Sequence, residues 1–437
     1  MLTGITAVVV AIAVLLGLFA LGLPIVVAFL LANLVGVLML MGPPGFGMFA
    51  NSIYDTATTV ELATIPLFLL VGELLFRGRA IDVLFESVDT LVSKMRGRQY
   101  VLTMLLSVIF AALSGAAMGV AAMLGRSVLP GMQKRGYDAK LSAGAILAGA
   151  SLAPIIPPSV LAIIIGTLAG VSISGLLIAG IIPGLILAAL FFVYIYGRML
   201  LNPALAPAEA DDGGRNAGWK DKLWSIARLA PFSLIIITIM GFILLGITTP
   251  SESAATGVIG ALLAALLYRK LSLRMVWDSL RSSMGVASMI LVIMASSKMF
   301  GQFLAFTGGT TALTAMVAAL DWHPAAMFFI MMFFPFIVCM FIDQIALMLI
   351  VIPIYKPLIA AFGFDPIWFW LIFLINITIG GMTPPFGYTL FALKGAAPQL
   401  KLGDVFSAAW PFVLLFIIGI VILWAFPGLV TYLPGKL

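Results

Sequence analysis

The chain has 437 residues, of which 63% are hydrophobic and 9% are charged, and its mean hydropathy is +1.22. This composition excludes a soluble globular protein and indicates a membrane protein with many spans, in contact with the lipid bilayer. The formal charge of +6 does not indicate a nucleic-acid partner, because the basic residues are distributed as in a membrane protein. One cysteine and one histidine exclude an intrachain disulfide and a transition-metal cluster of these residues.

The first quarter of the chain is predicted to contain three spans, an arm and a re-entrant hairpin. Residues 3–22, 24–41 and 62–76 are apolar enough to span a bilayer, 42–61 form a polar loop, and 77–100 form a charged amphipathic arm at the membrane interface. The N-terminus has no basic region or cleavage site, so it is interpreted as a span and not as a signal peptide. Residues 101–132 are interrupted at Ser114-Gly115, which favours a hairpin over a span.

The apolar segment 141–170 cannot form one continuous helix. Pro154, Pro157 and Pro158 each remove a backbone donor and clash with the preceding turn. In hydrocarbon such a break is tolerated only where the freed backbone groups line a cavity or are buried in protein, an arrangement that transporters use for their binding sites. A span at 173–199 and a polar linker at 201–228 follow.

The second half of the chain repeats this organisation. Its predicted elements are spans at 231–248, 254–268 and 283–300, a basic stretch at 269–281, an arm at 301–322, a hairpin at 325–357 interrupted at 341–344, a broken helix at 367–393 and a last span at 410–427. Pro157-Pro158 recurs as Pro384-Pro385, and Gly136-Tyr137-Asp138 recurs as Gly363-Phe364-Asp365, both with an offset of 227 residues. The order of these landmarks indicates two repeats, 1–200 and 229–437.

The distribution of basic residues gives the relative orientation of the two halves. Of the 23 Lys and Arg residues, 19 lie in the stretches 77–98, 134–140, 198–228, 269–281 and 394–401. In the predicted topology these stretches share one side of the membrane, which is therefore cytoplasmic. The two hairpins then open from opposite sides. The sequence predicts an all-α polytopic membrane protein of two inverted-topology repeats, each with a re-entrant hairpin and a broken transmembrane helix, as in elevator-type transporters.

The four backbone breaks are the candidate binding sites. Symmetry is expected to place each hairpin tip beside its own broken helix, where exposed carbonyls and hydroxyls can replace the water around Na⁺. Ser114, Ser151 and Thr383 are the candidate hydroxyl ligands. The alternative for any single break is a packing kink, and the duplication of the whole set argues against it.

Three charged residues within apolar segments have alternative roles. Asp343 is an intramembrane carboxylate, which is a functional hypothesis by default, and the alternative is that it caps the half-helix that follows. Lys298 either extends its side chain to the nearby membrane surface or pairs with an anionic substrate or with Asp343. Glu73 is expected to form an ion pair with Arg77.

The motifs resemble a known family. Ser-Gly at 114–115, KRGYDAKLSAG at 134–144, IIPPS at 155–159, TPSESAATG at 249–257 and TPPFGYTLF at 383–391 are similar to the large membrane subunit of TRAP transporters (tripartite ATP-independent periplasmic transporters). The resemblance covers nearly the whole chain. It implies a fold shared with the wider ion-transporter superfamily, an elevator mechanism coupled to Na⁺, and a location in the bacterial inner membrane. It also implies a separate small membrane subunit of about four helices and a periplasmic substrate-binding protein.

The resemblance also implies two sets of ligands. One Na⁺ site would use Ser114 with backbone around Ala153, Ile156 and Pro157, and the other would use backbone near Cys339 with Gly380 and Thr383. The chain departs from the family pattern at Ala116 and Ala117, where serines are common, at Cys339, where glycine is common, and at Gln344, where serine is common. The residues assigned to sodium binding are Ser114, Gly115, Ser151, Ala153, Ile156, Pro157, Cys339, Asp343, Gly380, Thr383 and Phe386. Those assigned to substrate binding are Ser114, Ala116, Ser151, Pro154, Lys298, Asp343, Gln344, Thr383 and Pro384.

The predicted function is that of the large membrane subunit of a Na⁺-coupled secondary transporter. It is expected to import a small organic anion, a carboxylate or a sulfonate, which a periplasmic binding protein delivers. The alternative is a stand-alone symporter of the ion-transporter superfamily that needs no binding protein, which the genes beside this one would distinguish. An intramembrane enzyme would require a catalytic set, and only Asp343 is available. No enzyme activity and no cofactor are expected, and Na⁺ is expected as the coupling ion.

Overall fold

The computed structural model of the chain describes residues 4–78, 80–92, 96–115, 117–207 and 218–437. Within these ranges the regular structure is helical, with no strand. The helices of the first half are α1 Ile5–Ala20, α2 Ile25–Gly36, α3 Pro43–Thr58, α4 Thr64–Arg77, α5 Ala80–Val92, α6 Arg98–Ser114, α7 Ala117–Ser127, α8 Leu129–Lys134, α9 Ala139–Ala150, α10 Val160–Ala169, α11 Ile173–Ala179 and α12 Ile181–Leu201. Those of the second half are α13 Trp219–Leu244, α14 Pro250–Leu267, α15 Leu273–Phe306, α16 Gly309–Ala318, α17 Pro324–Cys339, α18 Gln344–Ala361, α19 Pro366–Gly380, α20 Tyr388–Ala396, α21 Leu402–Ala425 and α22 Gly428–Thr431.

Several helices are long and apolar enough to cross a membrane. Among the described residues there are six such helices: the consecutive pair α11–α12, then α13, α14, α15, α18 and α21. A seventh span is possible in the pair Gly45–Thr58 and Val60–Arg77, which is bent by 58°. Most other helices are apolar but shorter, as expected for re-entrant hairpins and broken helices.

The packing of the helices follows the two-repeat organisation. The offset of 227 residues between the repeated motifs pairs each helix of the first half with one of the second half: α2 with α14, α4 with α15, α7 with α18 and α10 with α20. Helices that correspond make corresponding contacts. The contact of α4 with α14 has its counterpart in that of α15 with α2, and the contact of α7 with α20 has its counterpart in that of α18 with α10. Likewise α6 packs on α9 as α17 packs on α19. The predicted all-helical fold of two related halves is confirmed.

The recurring Gly-aromatic-Asp landmark begins each broken helix. Gly136 and Gly363 both have positive φ, 81° and 67°, a conformation that glycine adopts without steric cost. Two residues later, Asp138 Oδ1 accepts the Leu141 N–H at 2.7 Å, and Asp365 Oδ1 accepts the Trp368 N–H at 2.8 Å. The landmark is therefore a turn followed by an N-cap, and it sets where α9 and α19 start.

Several predicted boundaries are wrong, and prolines explain three of them. The expected loop at 42–61 is largely the helix α3, because its prolines fall in the first turn, where an N–H has no helical partner. The spans expected from residues 231 and 410 begin earlier, as α13 and α21, and run through Pro231 and Pro411. Membrane helices tolerate internal proline because neighbouring groups satisfy the freed carbonyls.

Other boundaries differ without involving proline. The basic stretch expected at 269–281 belongs largely to the start of α15. The end of the same helix includes the first residues of the arm expected at 301–322. The arm itself is reduced to α16. Of the arm expected at 77–100, α5 is a described helix and the last residues begin α6, while residues 79 and 93–95 lie outside the described ranges. The helical start of α13 shortens the expected linker at 201–228, of which residues 208–217 lie outside the described ranges. The residue bounds given to the two repeats and to the linker between them stay predictions.

Candidate functional site

The first break separates α9 from α10 and leaves backbone carbonyls without partners. Its N–H groups turn back onto the end of α9, as in the bond from the Ile156 N–H to the Leu152 carbonyl at 2.8 Å. Ser159 donates its hydroxyl to the Pro154 carbonyl and accepts the Ala162 N–H at 3.1 Å, so it caps α10. No hydrogen bond from a described residue reaches the carbonyl oxygens of Ser151, Ala153, Ile155 or Ile156. Buried carbonyls without a partner are uncommon, and they suit a cation.

The tip of the first hairpin lies against this break. Gly115 follows α6 with φ of 61°, and a Cβ added to it would lie 3.1 Å from the Pro158 carbonyl oxygen and 3.7 Å from the Val160 nitrogen. The backbone of the tip therefore approaches the backbone of the break, as the symmetry argument predicted. Ala116 and the side chain of Ser114 lie outside the described part of the structure.

The second hairpin meets the second break through side chains. Cys339, at the end of α17, donates its thiol to the Ile377 carbonyl at 3.1 Å. The rings of Phe341 and Phe386 lie 5.8 Å apart. Gln344, the first residue of α18, donates its side-chain amide to the hydroxyl of Tyr388. These contacts place the tip of the second hairpin against the end of α19, the break and the start of α20.

The second break contains a buried hydroxyl and free carbonyls. Thr383 is 0% exposed, and its hydroxyl donates to the Ile379 carbonyl at 2.7 Å. Because the hydroxyl proton is used in this bond, the lone pairs of the Thr383 oxygen remain available to a cation. Among the described residues none donates a hydrogen bond to the carbonyls of Met382, Pro384 or Phe386. The second break thus offers oxygen ligands of the same kind as the first.

The two breaks are neighbours in the fold. The helix after the first hairpin tip, α7, packs against both α9 and α20, and α10 packs against α18. Four helices, α7, α10, α18 and α20, have their first residue at a hairpin tip or just after a break. Because the N-terminus of a helix carries partial positive charge, these four termini give the region between the breaks an affinity for anions.

Asp343 has the capping role that the sequence offered as an alternative. Its Oδ1 accepts the Ile345 N–H at 2.9 Å at the start of α18. The side chain is partly exposed, so the cap does not exclude a second role. The described residues contain no cluster of three or more His, Cys, Asp or Glu side chains that could hold a metal.

Lys298 lies in a different pair from the one that was considered. Its Nζ donates to Asp55 Oδ2 of α3 at 2.6 Å, and not to Asp343. Asp55 lies in the segment 42–61, which was expected to be a loop and is largely the helix α3. The sequence therefore did not indicate Asp55 as a partner of Lys298. Glu73 accepts from Arg77 Nε at 2.8 Å, which confirms the predicted ion pair.

The structure brings together most of the predicted site residues. At the first tip, Gly115 lies against the first break, which contains Ser151, Ala153, Pro154, Ile156 and Pro157. At the second tip lie Cys339, Asp343 and Gln344. The end of α19 and the break beside this tip contain Gly380, Thr383, Pro384 and Phe386. Tyr388 was missed. The only sequence signal was its place directly after the Thr-Pro-Pro-Phe-Gly run, because its partner Gln344 lies 44 residues away.

Comparisons with known proteins agree with this architecture. Residues 12–429 match the DctM component of tripartite ATP-independent periplasmic transporters. The chain is 28% identical to the ectoine TRAP transporter large permease protein TeaC of Halomonas elongata, over 97% of each chain. It is 29% identical to the 2,3-diketo-L-gulonate TRAP transporter large permease protein YiaN of Escherichia coli, over 98% of this chain and 99% of that one. The YdaH transporter of Alcanivorax borkumensis has a similar fold, with a TM-score of 0.61 at 16% identity over 90% of each chain.

Proposed function

The chain belongs to the DctM component family of tripartite ATP-independent periplasmic transporters, and we propose that it couples the import of a small organic anion to the entry of Na⁺. As a large permease of this family it is a multi-pass transport protein of the bacterial inner membrane, and not an enzyme. Large permeases of the family work with a small membrane subunit and a periplasmic binding protein. For this chain we propose a separate small subunit of about four helices, and a binding protein that delivers the anion.

The observation that carries the proposal of Na⁺ coupling is the second break. It contains the fully buried Thr383 hydroxyl, whose proton is already donated, beside carbonyls that accept no described hydrogen bond. Neutral oxygen ligands suit a small cation that must lose its hydration shell. The carbonyls around Ser151, Ala153 and Ile156 support a second site of the same type in the first break.

Two observations support an organic anion as the substrate. Four helix N-termini lie at the tips and breaks, and such termini favour negative charge. A relative of nearly equal length is named for 2,3-diketo-L-gulonate, which is a carboxylate. A carboxylate would bind between the hairpin tips, near the Na⁺ ions, with Ser151, Gln344 and Thr383 among the polar groups at hand. The same region would also accept a sulfonate, which carries the same charge.

The packing supports an elevator movement. The hairpin helices α6, α7, α17 and α18 pack on the broken helices α9, α10, α19 and α20, so they can move as one body that carries both breaks. In this proposal α1 to α4 and α13 to α15 form the scaffold against which that body moves. The membership of the TRAP family favours this tripartite system over a stand-alone symporter.

Two threonines, Thr378 in α19 and Thr383 in the break that follows it, allow a matched test of Na⁺ binding. Thr378 and Thr383 are both buried, and each donates its hydroxyl to the carbonyl four residues earlier, at 2.8 and 2.7 Å. Thr383→Val and Thr378→Val therefore each remove a hydrogen bond of the same kind, but only Thr383 lies in the break. The melting temperature of the chain purified with its small subunit is measured in NaCl and in choline chloride.

We expect Na⁺ to raise the melting temperature of the wild type and of Thr378→Val, because a ligand that binds only the folded state stabilises it. Thr383→Val should lose most of this increment, and Thr383→Ser should keep it. Proteoliposomes that contain both subunits should then take up labelled 2,3-diketo-L-gulonate, or another carboxylate, only with the binding protein and an inward Na⁺ gradient. Equal stability in both salts, or uptake driven by protons alone, would show that Na⁺ is not the coupling ion.

A further inference from the structure

The contact between Gln344 and Tyr388 joins two elements that must separate if the second site is to open. We call it the tip contact. The side-chain amide of Gln344 donates to the Tyr388 hydroxyl, and Gln344 is 4% exposed. Gln344 is the first residue of α18, after the hairpin tip, and Tyr388 is the first residue of α20, after the break. The tip contact is therefore a side-chain hydrogen bond between the tip and the start of the helix after the break.

The ring of Tyr388 occupies a place that the backbone leaves for it. A Cβ added at Gly381 would lie 2.6 Å from the Tyr388 hydroxyl oxygen, so any other residue at 381 would displace the ring. Thr389, the next residue, fixes the same loop, because its N–H and its hydroxyl both donate to the Gly381 carbonyl, at 3.2 and 2.7 Å. Tyr388 is thus held on the break side, and Gln344 is the part of the contact that moves with the hairpin.

The contacts described at the two tips differ in kind. In the first half the tip approaches its break through backbone, with Gly115 against the Pro158 carbonyl. In the second half a side chain from each element forms the connection. A contact of this kind can open without a change in the backbone of the break, so it can control access to the free carbonyls of Met382, Pro384 and Phe386.

We propose that Gln344 and Tyr388 are positioning residues that hold the second hairpin tip closed over the second break and thereby set the Na⁺ affinity of that site. The proposal rests on the Na⁺ coupling proposed above. It gives Gln344 a role in closing the ion site beside its place among the polar groups near the substrate, and it gives Tyr388 a role that its position in the sequence did not reveal.

The test compares two tyrosines of the same repeat whose hydroxyls both form hydrogen bonds. Tyr388→Phe removes the hydroxyl of the tip contact. Tyr355→Phe removes a hydroxyl that donates to the Met331 carbonyl at 2.9 Å, within the arms of the hairpin. Gln344→Met removes the amide at similar size. For each variant, and for the double variant of Gln344 and Tyr388, the melting temperature of the chain with its small subunit is measured over a series of NaCl concentrations at constant ionic strength.

We expect Tyr388→Phe and Gln344→Met each to raise the Na⁺ concentration of half-maximal stabilisation by about three- to tenfold, the ratio that corresponds to one buried hydrogen bond. The double variant should shift it no further, because both side chains act through one bond. Tyr355→Phe should lower the melting temperature at every Na⁺ concentration without changing the half-maximal value. A merely structural role for Tyr388 would give this same result and would overturn the proposal, as would additive shifts in the double variant.

The single cysteine gives a second readout. Cys339 is 2% exposed and lies in the same hairpin tip, so its rate of alkylation by N-ethylmaleimide reports opening. Na⁺ should slow this reaction in the wild type, and about three- to tenfold more Na⁺ should be needed for the same protection in Tyr388→Phe. A wild type without any response to Na⁺ in either assay refutes the Na⁺ coupling itself. A normal wild-type response with unshifted variants refutes only the role of the tip contact.

Discussion

Gly380 is the position at which a single methyl group should separate the second hairpin from the second break. It is the last residue of α19, and a Cβ added there would lie 2.5 Å from the Cys339 Cβ. The same Cβ would lie 3.1 Å from the Phe336 carbonyl oxygen and 3.2 Å from the Cys339 carbonyl carbon. These are the backbone and first side-chain atom of α17, which cannot rotate away. Gly380→Ala therefore requires α17 to move from α19.

The magnitude follows from the distances. Non-bonded carbon atoms prefer a separation of about 3.5–4.0 Å, so α17 must shift by about 1 Å. Overpacking of this kind costs about 1–3 kcal/mol, while replacing glycine by alanine in a helix returns about 0.5–1 kcal/mol. If the closed tip is needed for Na⁺ binding, the overpacking energy opposes the closed state directly. The Na⁺ affinity is then expected to fall by about 5- to 150-fold.

The assay is the Na⁺ dependence of the melting temperature, with Gly395→Ala as the matched control. Gly395 lies near the end of α20, as Gly380 lies at the end of α19, and no atom lies within 4 Å of its Cβ position. The control should be neutral or stabilising, with unchanged Na⁺ dependence. Adding Cys339→Gly to Gly380→Ala removes the closest of the colliding atoms and should restore part of the affinity. Equal behaviour of Gly380→Ala and Gly395→Ala would refute the close packing of α17 on α19.

Two further predictions concern the first tip and the capping carboxylate. Gly115→Ala should destabilise the protein by about 1–2 kcal/mol, since φ is 61° there and a left-handed conformation costs about that much for other residues. Gly119→Ala, which adds a methyl group in open space on α7, should not, and equal melting temperatures for the two variants would contradict the described tip. Asp343→Asn should leave the melting temperature in choline chloride nearly unchanged, because asparagine caps helices as well as aspartate. It should weaken the stabilisation by Na⁺, and an unchanged Na⁺ response would remove the Asp343 carboxylate from the ion site.

The sequence was informative wherever the fold depends on a local backbone constraint. Tandem prolines and glycines within an apolar segment rule out a continuous helix whatever surrounds them. For this reason the sequence alone predicts the breaks at 154–158 and 380–387. The duplicated landmarks then placed the hairpins by order alone. The capping alternative for Asp343 was available because capping depends only on neighbouring residues.

The features that the sequence did not predict all depend on contacts between distant segments. Whether Pro231 or Pro411 ends a helix depends on neighbours that satisfy the freed carbonyls, and no local pattern reports those neighbours. Lys298 found its partner in Asp55, 243 residues away. Tyr388 was overlooked because its importance comes from Gln344 on another element and from the space above Gly381. Each of these features appears only when the chain is packed.

If the Na⁺ sites are as proposed, the construction of the two breaks would let ion affinities differ among relatives of the same family. At the described breaks the cation ligands we propose are mainly carbonyl oxygens, which every residue supplies, so the fold needs only prolines and glycines at the right places to expose them. Relatives that are 28% and 29% identical can therefore keep the same ion sites. Side chains such as Gln344, Tyr388 and Cys339 lie around the breaks and determine how tightly each tip closes. Substitutions there would change the strength of the proposed coupling and leave the backbone carbonyls of the breaks in place.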